Sequence, residues 1–175
     1  MICHVLGLGE SIKDFKEYEG YRIGVNDIYR HTYCDRVVVV NNFAKLQERK
    51  NYIDTCRPLD GLWSHLSCWH NHTEFKKLSF QAWNGVYKAK TVYCSKSSPF
   101  VALTMACSLG FTEVVLWGVD MKTHKDLKDR TKVIELNNFD TFVRAVEKTG
   151  VKVFKGSEYS DLRLPVWTNS EQNHN

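Results

Sequence analysis

The chain lacks the marks of several protein classes. No apolar run approaches the roughly 18 residues that a membrane span needs. Six cysteines are present (Cys3, Cys34, Cys56, Cys68, Cys94 and Cys107), but none form a C-x-x-C pair. Cys3, Cys94 and Cys107 fall in apolar stretches, which fits free core thiols in a reducing cytosol better than a disulfide scaffold. The excess of 24 Lys and Arg over 20 Asp and Glu gives a net charge of +4. That balance suits an anionic ligand but is too small to argue for nucleic acid by itself. There is no internal repeat, no low-complexity segment and no linker. The 175 residues therefore read as one domain over residues 1–168, with residues 169–175 expected to fray. A core strand opens directly after Met1, so no signal peptide is expected, and the chain is expected in the cytoplasm.

What is present is a rhythm of short apolar runs and helical patterns. The stretch Cys3 to Ser11 leads from an apolar run into Gly7-x-Gly9, and Ser11 starts the amphipathic segment Ile12 to Tyr18. This predicts strand, glycine turn and helix. Such a turn brings backbone N–H groups and a helix N-terminus to one point, where a phosphate fits. The third glycine of a dinucleotide fingerprint is missing. The alternative is a turn without ligand, with Ser11 as N-cap and Asp14 completing a capping box. Val37 to Val40 predicts a strand buried on both faces, followed by a polar helix from Phe43 to about Cys56. Thr91 to Ser95 predicts a further strand. Ser98 and Pro99 predict an N-cap and first helical residue for an apolar helix, Phe100 to Leu109, with Gly110 at its C-cap. Val114 to Trp117 follows as a strand. A last helix, roughly Glu135 to Thr149, carries Phe139, Phe142, Val143 and Val146 on one face, and Val151 to Phe154 closes as a strand. Valine-rich strands alternating with helices predict an α/β fold, a Rossmann-like three-layer α/β/α sandwich with a mostly parallel sheet.

In such a sheet, ligands bind beyond the carboxyl ends of the strands. The residues there are Gly7, Gly9, Glu10 and Ser11; Asn26 and Asp27; Asn41 and Asn42; Ser95, Ser97 and Ser98; and Gly118 and Asp120, with His124 a few residues on. Each could be ordinary turn chemistry. Together, neutral amides and hydroxyls suit hydrogen bonding to a ribose, a base and a phosphate.

Two blocks carry a resemblance. The first comprises Gly7-x-Gly9-x-Ser11, the turn Val25 to Tyr29, and Asp35 to Asn41. The second runs from Ser97 to Leu103 and from Leu109 to Asp120. They resemble bacterial sialyltransferases acting on lipo-oligosaccharide, and a related group with motility accessory factors and an archaeal-type 6-hydroxymethylpterin diphosphokinase. The resemblance implies that Gly7, Gly9, Ser11, Asn26 and either Asn41 or Asn42 hold a nucleotide, joined by Ser97 or Ser98. The sialyltransferases carry a long insertion after their Gly-x-Asp that forms a lid and supplies a catalytic histidine, together with phosphate-binding tyrosines. This chain has only Lys122 to Lys132 there, and no tyrosine between Tyr93 and Tyr159.

Glycosyl transfer needs a base at the acceptor and charge stabilisation at the leaving phosphate. His124 is the base expected from position, and Lys122, Lys125, Lys128, Arg130 and Lys132 could close on a phosphate or form a solvated face. Asp120 could bind a metal, orient His124 or cap the loop. The cluster His65-x-x-Cys68-x-His70-x-His72 offers zinc ligands at a spacing that matches no standard module. With Trp63 and Trp69 it could instead wall an acceptor site. The resulting expectation is a glycosyltransferase using a nucleotide-activated (CMP- or other NDP-) sugar, with no required cofactor and a glycan rather than nucleic acid as acceptor. The alternatives are a pyrophosphokinase using ATP and Mg²⁺, with Asp120 as metal contact, and a non-enzymatic nucleotide-binding module.

Overall fold

The short apolar runs pair into one sheet because each leaves its backbone groups to neighbours of the same kind. The computed structural model describes residues 1–40, 58–66, 75–122 and 129–169. Its strands are β1 (Ile2–Leu6), β2 (Tyr21–Val25), β3 (Arg36–Val38), β4 (Leu62–Ser64), β5 (Phe75–Lys77), β6 (Gln81–Ala82), β7 (Tyr93–Cys94), β8 (Glu113–Trp117) and β9 (Lys152–Lys155). Seven of them form an all-parallel sheet in the order β5-β4-β3-β2-β1-β8-β9. The α-helices among the described residues are α1 (Ser98–Ser108) and α2 (Asp129–Glu147). The fold is α/β and Rossmann-like. The chain adds strands outward from β1 to β5, then returns to place β8 on the other side of β1. The crevice between the ends of β1 and β8 is therefore the point where strand order reverses, the place where open parallel sheets bind ligands.

Alternation along the strands divides the core. Cys3, Val5, Ile23, Val25, Val38, Val114, Leu116 and Val153 face α1 and α2, meeting Phe100, Leu103, Phe139, Phe142, Val143 and Val146. Leu6, Val37, Leu62, Val115 and Trp117 face the other way. Among the described residues that second face is covered by short 3-10 turns and by the segment leading to Trp167. The apolar α1 has no polar face because it is covered by the main sheet, by β7 through Thr104 and Tyr93, and by Phe139 and Phe142 of α2, which meet Phe100 edge-on. No helix among the described residues is long and apolar enough to cross a membrane.

Several expectations need correction. The segment after the first glycine turn is not an amphipathic α-helix but a five-residue 3-10 helix, Glu10–Asp14, with Gly9 rather than Ser11 at its N-cap. Phe15 and Tyr18 leave the helical path to pack with His4, Trp117 and Trp167. The strand expected at Thr91–Ser95 forms only over Tyr93–Cys94 and does not enter the main sheet. It pairs in parallel with β6, a two-residue strand. Ser97, not Ser98, is the N-cap of α1, and Gly110, at φ +89°, follows the C-cap Leu109. The last helix begins at Asp129, six residues before the expected start. The polar helix expected from Phe43 to Cys56 lies outside the described residues, as does the expected tail beyond Asn169.

Candidate functional site

The two loops at the switch point hold each other. Gly7 N–H donates to the Trp117 carbonyl at 2.7 Å, and Gly9 N–H to the Gly118 carbonyl at 2.7 Å. Asp120, 7% exposed, takes the Ser11 N–H at 2.9 Å on one carboxylate oxygen and the Ser11 hydroxyl on the other. The Ser11 hydroxyl oxygen in turn accepts from Gly118 N–H at 3.2 Å. A Cβ on Gly7 would lie 2.5 Å from the Gly118 carbonyl oxygen, and one on Gly9 would lie 2.6 Å from that oxygen and 2.7 Å from the Asp120 carboxylate. Gly118 sits at φ +63°, where a side chain is strained, and its own Cβ would meet Gly7. The glycines are thus required by the approach of one loop to the other, and Asp120 is the clasp between them.

The neighbouring strand ends supply different groups. Asn26 occupies the left-handed region at φ +48°, which asparagine tolerates, and is 6% exposed. Its amide donates to the Ser98 hydroxyl at 3.2 Å, and its carbonyl oxygen accepts from Val40 N–H at 3.2 Å. One side chain therefore ties the ends of β2 and β3 to the start of α1. At that start, the Ser97 side chain makes no capping hydrogen bond, and Pro99 stands in the first turn without an N–H. An eleven-residue helix thus presents its positive dipole end to the rim without a side-chain cap.

The outer edge is charged. Glu10 pairs with Lys13 at 3.0 Å and accepts from the Tyr159 hydroxyl at 2.9 Å. These contacts hold the Glu10 carboxyl below its usual range, the Lys13 hydrogen bond contributing most. The bond to Glu10 lifts the Tyr159 phenol above its usual range. Lys122 lies 3.9 Å over the Tyr159 ring. Asp161 accepts from Lys132 at 2.7 Å, which lowers its pKa, and its backbone N–H donates to the Asp120 carbonyl at 2.8 Å. The segment after β9 therefore folds back over the end of β8.

Of the residues expected at the site, the structure brings Gly7, Gly9, Ser11, Gly118 and Asp120 together at the switch point, with Glu10 at its edge. Asn26 and Ser98 join at the next strand end, with Ser97 beside them. Asp27 turns to Arg30, 3.7 Å away. Asn41, Asn42 and His124 lie outside the described residues, as do Cys68, His70, His72 and Trp69. His65 is described, with its ring 4.6 Å from that of Phe80. Among the described residues no group of three His, Cys, Asp or Glu side chains is placed to hold a metal. Trp63 is no open wall: Arg36 lies 4.7 Å and Lys76 5.4 Å over its ring. Nothing in the sequence pattern marks Tyr159 or Glu135 as a site residue. Tyr159 stands far along the chain from every strand end it touches. Glu135 reads as one more polar residue at a helix start, yet it is 1% exposed.

No family model matches the chain, and no curated protein matches it in sequence. Solved structures do resemble it. The sialyltransferase CstII from Campylobacter jejuni, in complex with the substrate analogue cytidine-5'-monophosphate, is 12% identical and superposes with a TM-score of 0.61 over 96% of this chain and 85% of that one. The sialyltransferase CST-II in complex with a trisaccharide acceptor and CMP is 13% identical, with a TM-score of 0.62 over 97% and 87%. The monofunctional α-2,3-sialyltransferase Cst-I from Campylobacter jejuni is 11% identical, with a TM-score of 0.61 over 94% and 79%. At these identities the likeness is one of fold.

Proposed function

We propose that this protein is a nucleotide-dependent transferase, a glycosyltransferase that draws its donor from a nucleotide-activated sugar, with a CMP-sugar favoured. The carrying observation is the uncapped start of α1 beside the buried Asn26 amide, at the strand ends flanking the switch point. Backbone N–H groups at a helix start and neutral hydrogen-bonding side chains recognise a ribose or phosphate without a metal. The fold likeness to proteins crystallised with CMP and with a trisaccharide acceptor supports the same assignment.

The roles follow from position for the described residues, and from sequence order alone for Asn41, Asn42 and His124. Asn26, Ser97 and Ser98 contact the nucleotide, with Asn41 or Asn42 contributing from the end of β3. Gly7, Gly9, Ser11, Gly118 and Asp120 shape the floor of the crevice and hold it closed. Glu10 and Asp27 lie at its margin. Lys122 and Lys132 supply positive charge where the phosphate leaves, and His124 takes the proton from an acceptor hydroxyl. Asp120 thereby becomes a residue that positions the turn, since both its carboxylate oxygens are engaged by Ser11. The pyrophosphokinase alternative, which needs Asp120 as a Mg²⁺ contact, draws no support from that geometry.

A thermal-shift screen with CMP, CDP, UDP, ADP and ATP, with and without Mg²⁺, tests the assignment. At a hundredfold excess over its dissociation constant a ligand adds about 2.7 kcal/mol. For a domain of this size that is roughly 5–10 °C in melting temperature. Stabilisation by a pyrimidine nucleotide without Mg²⁺ is expected. Stabilisation by ATP with Mg²⁺ alone would favour the kinase, and no shift with any nucleotide would end the nucleotide assignment.

A further inference from the structure

Glu135 is the buried carboxylate at this end of the sheet that the proposed chemistry does not use. It stands on α2, 1% exposed, and accepts the Ser95 hydroxyl, the Lys96 N–H at 3.3 Å and the Asn138 amide at 3.2 Å. All three partners are neutral donors, and no ion pair joins it to a Lys or Arg among the described residues. A buried, unpaired carboxylate is an expensive way to fill a helix position, because desolvation opposes its charge. Packing alone would be served as well by methionine or leucine. What the carboxylate adds is two strong acceptor oxygens directed at adjacent donors of one short segment, Ser95 and Lys96.

That segment leads into the start of α1. The Ser95 hydroxyl oxygen also accepts from Ser97 N–H at 3.2 Å, so the oxygen that Glu135 holds fixes Ser97, the residue at the N-cap position of α1. One residue on, the Ser98 hydroxyl accepts from Asn26, whose carbonyl oxygen reaches Val40. Hydrogen bonds thus fix the 95–98 segment from both sides: from α2 through Glu135 and Ser95, and from the ends of β2 and β3 through Asn26. The Asn26 side is anchored in the sheet. The other side depends on Glu135.

We propose that Glu135 is a positioning residue of the nucleotide site, holding Ser97 and Ser98 at the rim through Ser95 and Lys96. This rests on the nucleotide assignment above. A glutamine does not reproduce the contact: with its oxygen on Lys96 N–H it turns an NH₂ group toward the Ser95 hydroxyl, which must then accept rather than donate and re-aim the lone pair that takes Ser97 N–H.

The test compares Glu135→Gln, Glu135→Ala and Ser95→Ala with Thr141→Val. Thr141 lies on the same helix and accepts from the Trp83 indole at 3.0 Å, so its loss loosens α2 without touching the 95–98 segment. CMP affinity is measured by calorimetry well below each melting temperature, and amide hydrogen exchange of residues 95–101 is followed without ligand. The two Glu135 variants are expected to weaken CMP binding at least tenfold and to speed exchange in 95–101 at least tenfold. Thr141→Val is expected to leave both within twofold despite a lowered melting temperature. Equal loss of CMP affinity in Thr141→Val and the Glu135 variants would overturn the proposal, as would unchanged exchange in 95–101. If Glu135→Ala fails to fold, Glu135→Gln and Ser95→Ala decide. Should the unsubstituted protein bind no CMP, the CMP assignment falls by itself, and the exchange measurement alone then upholds or overturns the hold of Glu135 on Ser97.

Discussion

Asp120→Ala is the substitution with the most direct physical consequence. Its carboxylate satisfies two donors of Ser11, a residue only 1% exposed, and through Ser11 it aligns the acceptor for Gly118 N–H. Removing it leaves a backbone N–H and a hydroxyl without their partner, and each buried orphan costs about 1–3 kcal/mol. Relief from desolvating a carboxylate offsets part of that, and the hydroxyl can turn toward another acceptor, so the net loss is about 3 kcal/mol. For a domain of this length 1 kcal/mol corresponds to roughly 2–4 °C, which places the fall in melting temperature at about 6–12 °C. Circular dichroism melts and urea titrations measure it. The urea slope should stay unchanged, because the loss is local to two loops. Ser11→Ala removes the same hydroxyl contact from the other side, so the two substitutions should not add. A double-mutant cycle should return a coupling of at least about 1 kcal/mol. A melting temperature for Asp120→Ala within about 2 °C of the parent, or strict additivity with Ser11→Ala, would refute the clasp.

Three further outcomes follow from other contacts. His4 is fully buried, with Nδ1 taking the Trp117 indole N–H at 3.1 Å and Nε2 3.0 Å from the Glu19 carbonyl oxygen, so the neutral ring donates from Nε2. Burial lowers its pKa below 6.5; the unfolded chain therefore binds the proton more readily, and the stability held in neutral His4 is complete above pH 6.5 and drains as pH falls toward the depressed value. Urea midpoints should drop more steeply below pH 6.5 in the parent than in His4→Gln, and parallel profiles would contradict this. A Cβ on Gly156 would stand 2.2 Å from the Trp117 ring, so Gly156→Ala should cost about 3 kcal/mol and alter the near-ultraviolet signal of the aromatic cluster; an unchanged spectrum and midpoint would count against that contact. His124→Ala should abolish transfer to the acceptor while CMP affinity stays within twofold, and retained turnover would remove His124 from the mechanism.

The parts of the fold legible in the sequence are those whose burial is two-sided. Val114 to Trp117 and Val37 to Val39 announce central parallel strands because nothing on them faces water. The stripe Phe139, Phe142, Val143 and Val146 announces the buried face of α2. The outer strands are silent for the opposite reason: Leu62–Ser64 and Phe75–Lys77 are three residues each, and an edge partner needs backbone hydrogen bonds more than an apolar pattern. The 3-10 helix at Glu10–Asp14 is a case of tertiary packing overriding a local pattern. The spacing of Phe15 and Tyr18 reads as one helix face, but the indoles of Trp117 and Trp167, far along the chain, draw both rings off the helical path. Tyr159 escapes the strand-end rule because a segment beyond the last strand carries it back over the rim, hung on the bond from Asp161 N–H to the Asp120 carbonyl.

This changes where an anion should sit. A glycine turn after the first strand invites a phosphate only if its N–H groups are free, and here Gly7, Gly9 and Ser11 spend theirs on Trp117, Gly118 and Asp120. The five-residue 3-10 helix behind the turn adds little dipole, while the eleven-residue α1 opens at the rim with no side-chain cap. The macrodipole acts within the first turn of a helix, so the favourable field lies at Ser97 and Ser98, not at Gly9. The first loop, packed through Gly7 and Gly9 against Gly118 of the loop after β8 and clasped by Asp120, then serves as a dense floor. On the function proposed above, ligand recognition then belongs to the segment that Asn26 and Glu135 flank from opposite sides. Substitutions at Ser97 and Ser98 should therefore act on nucleotide affinity with little effect on stability, and those at Gly7 and Gly9 should act on stability first. Measuring both quantities for Ser97→Ala and Gly9→Ala separates the two loops; a Gly9→Ala protein that keeps its melting temperature and loses CMP would return the phosphate to the first turn.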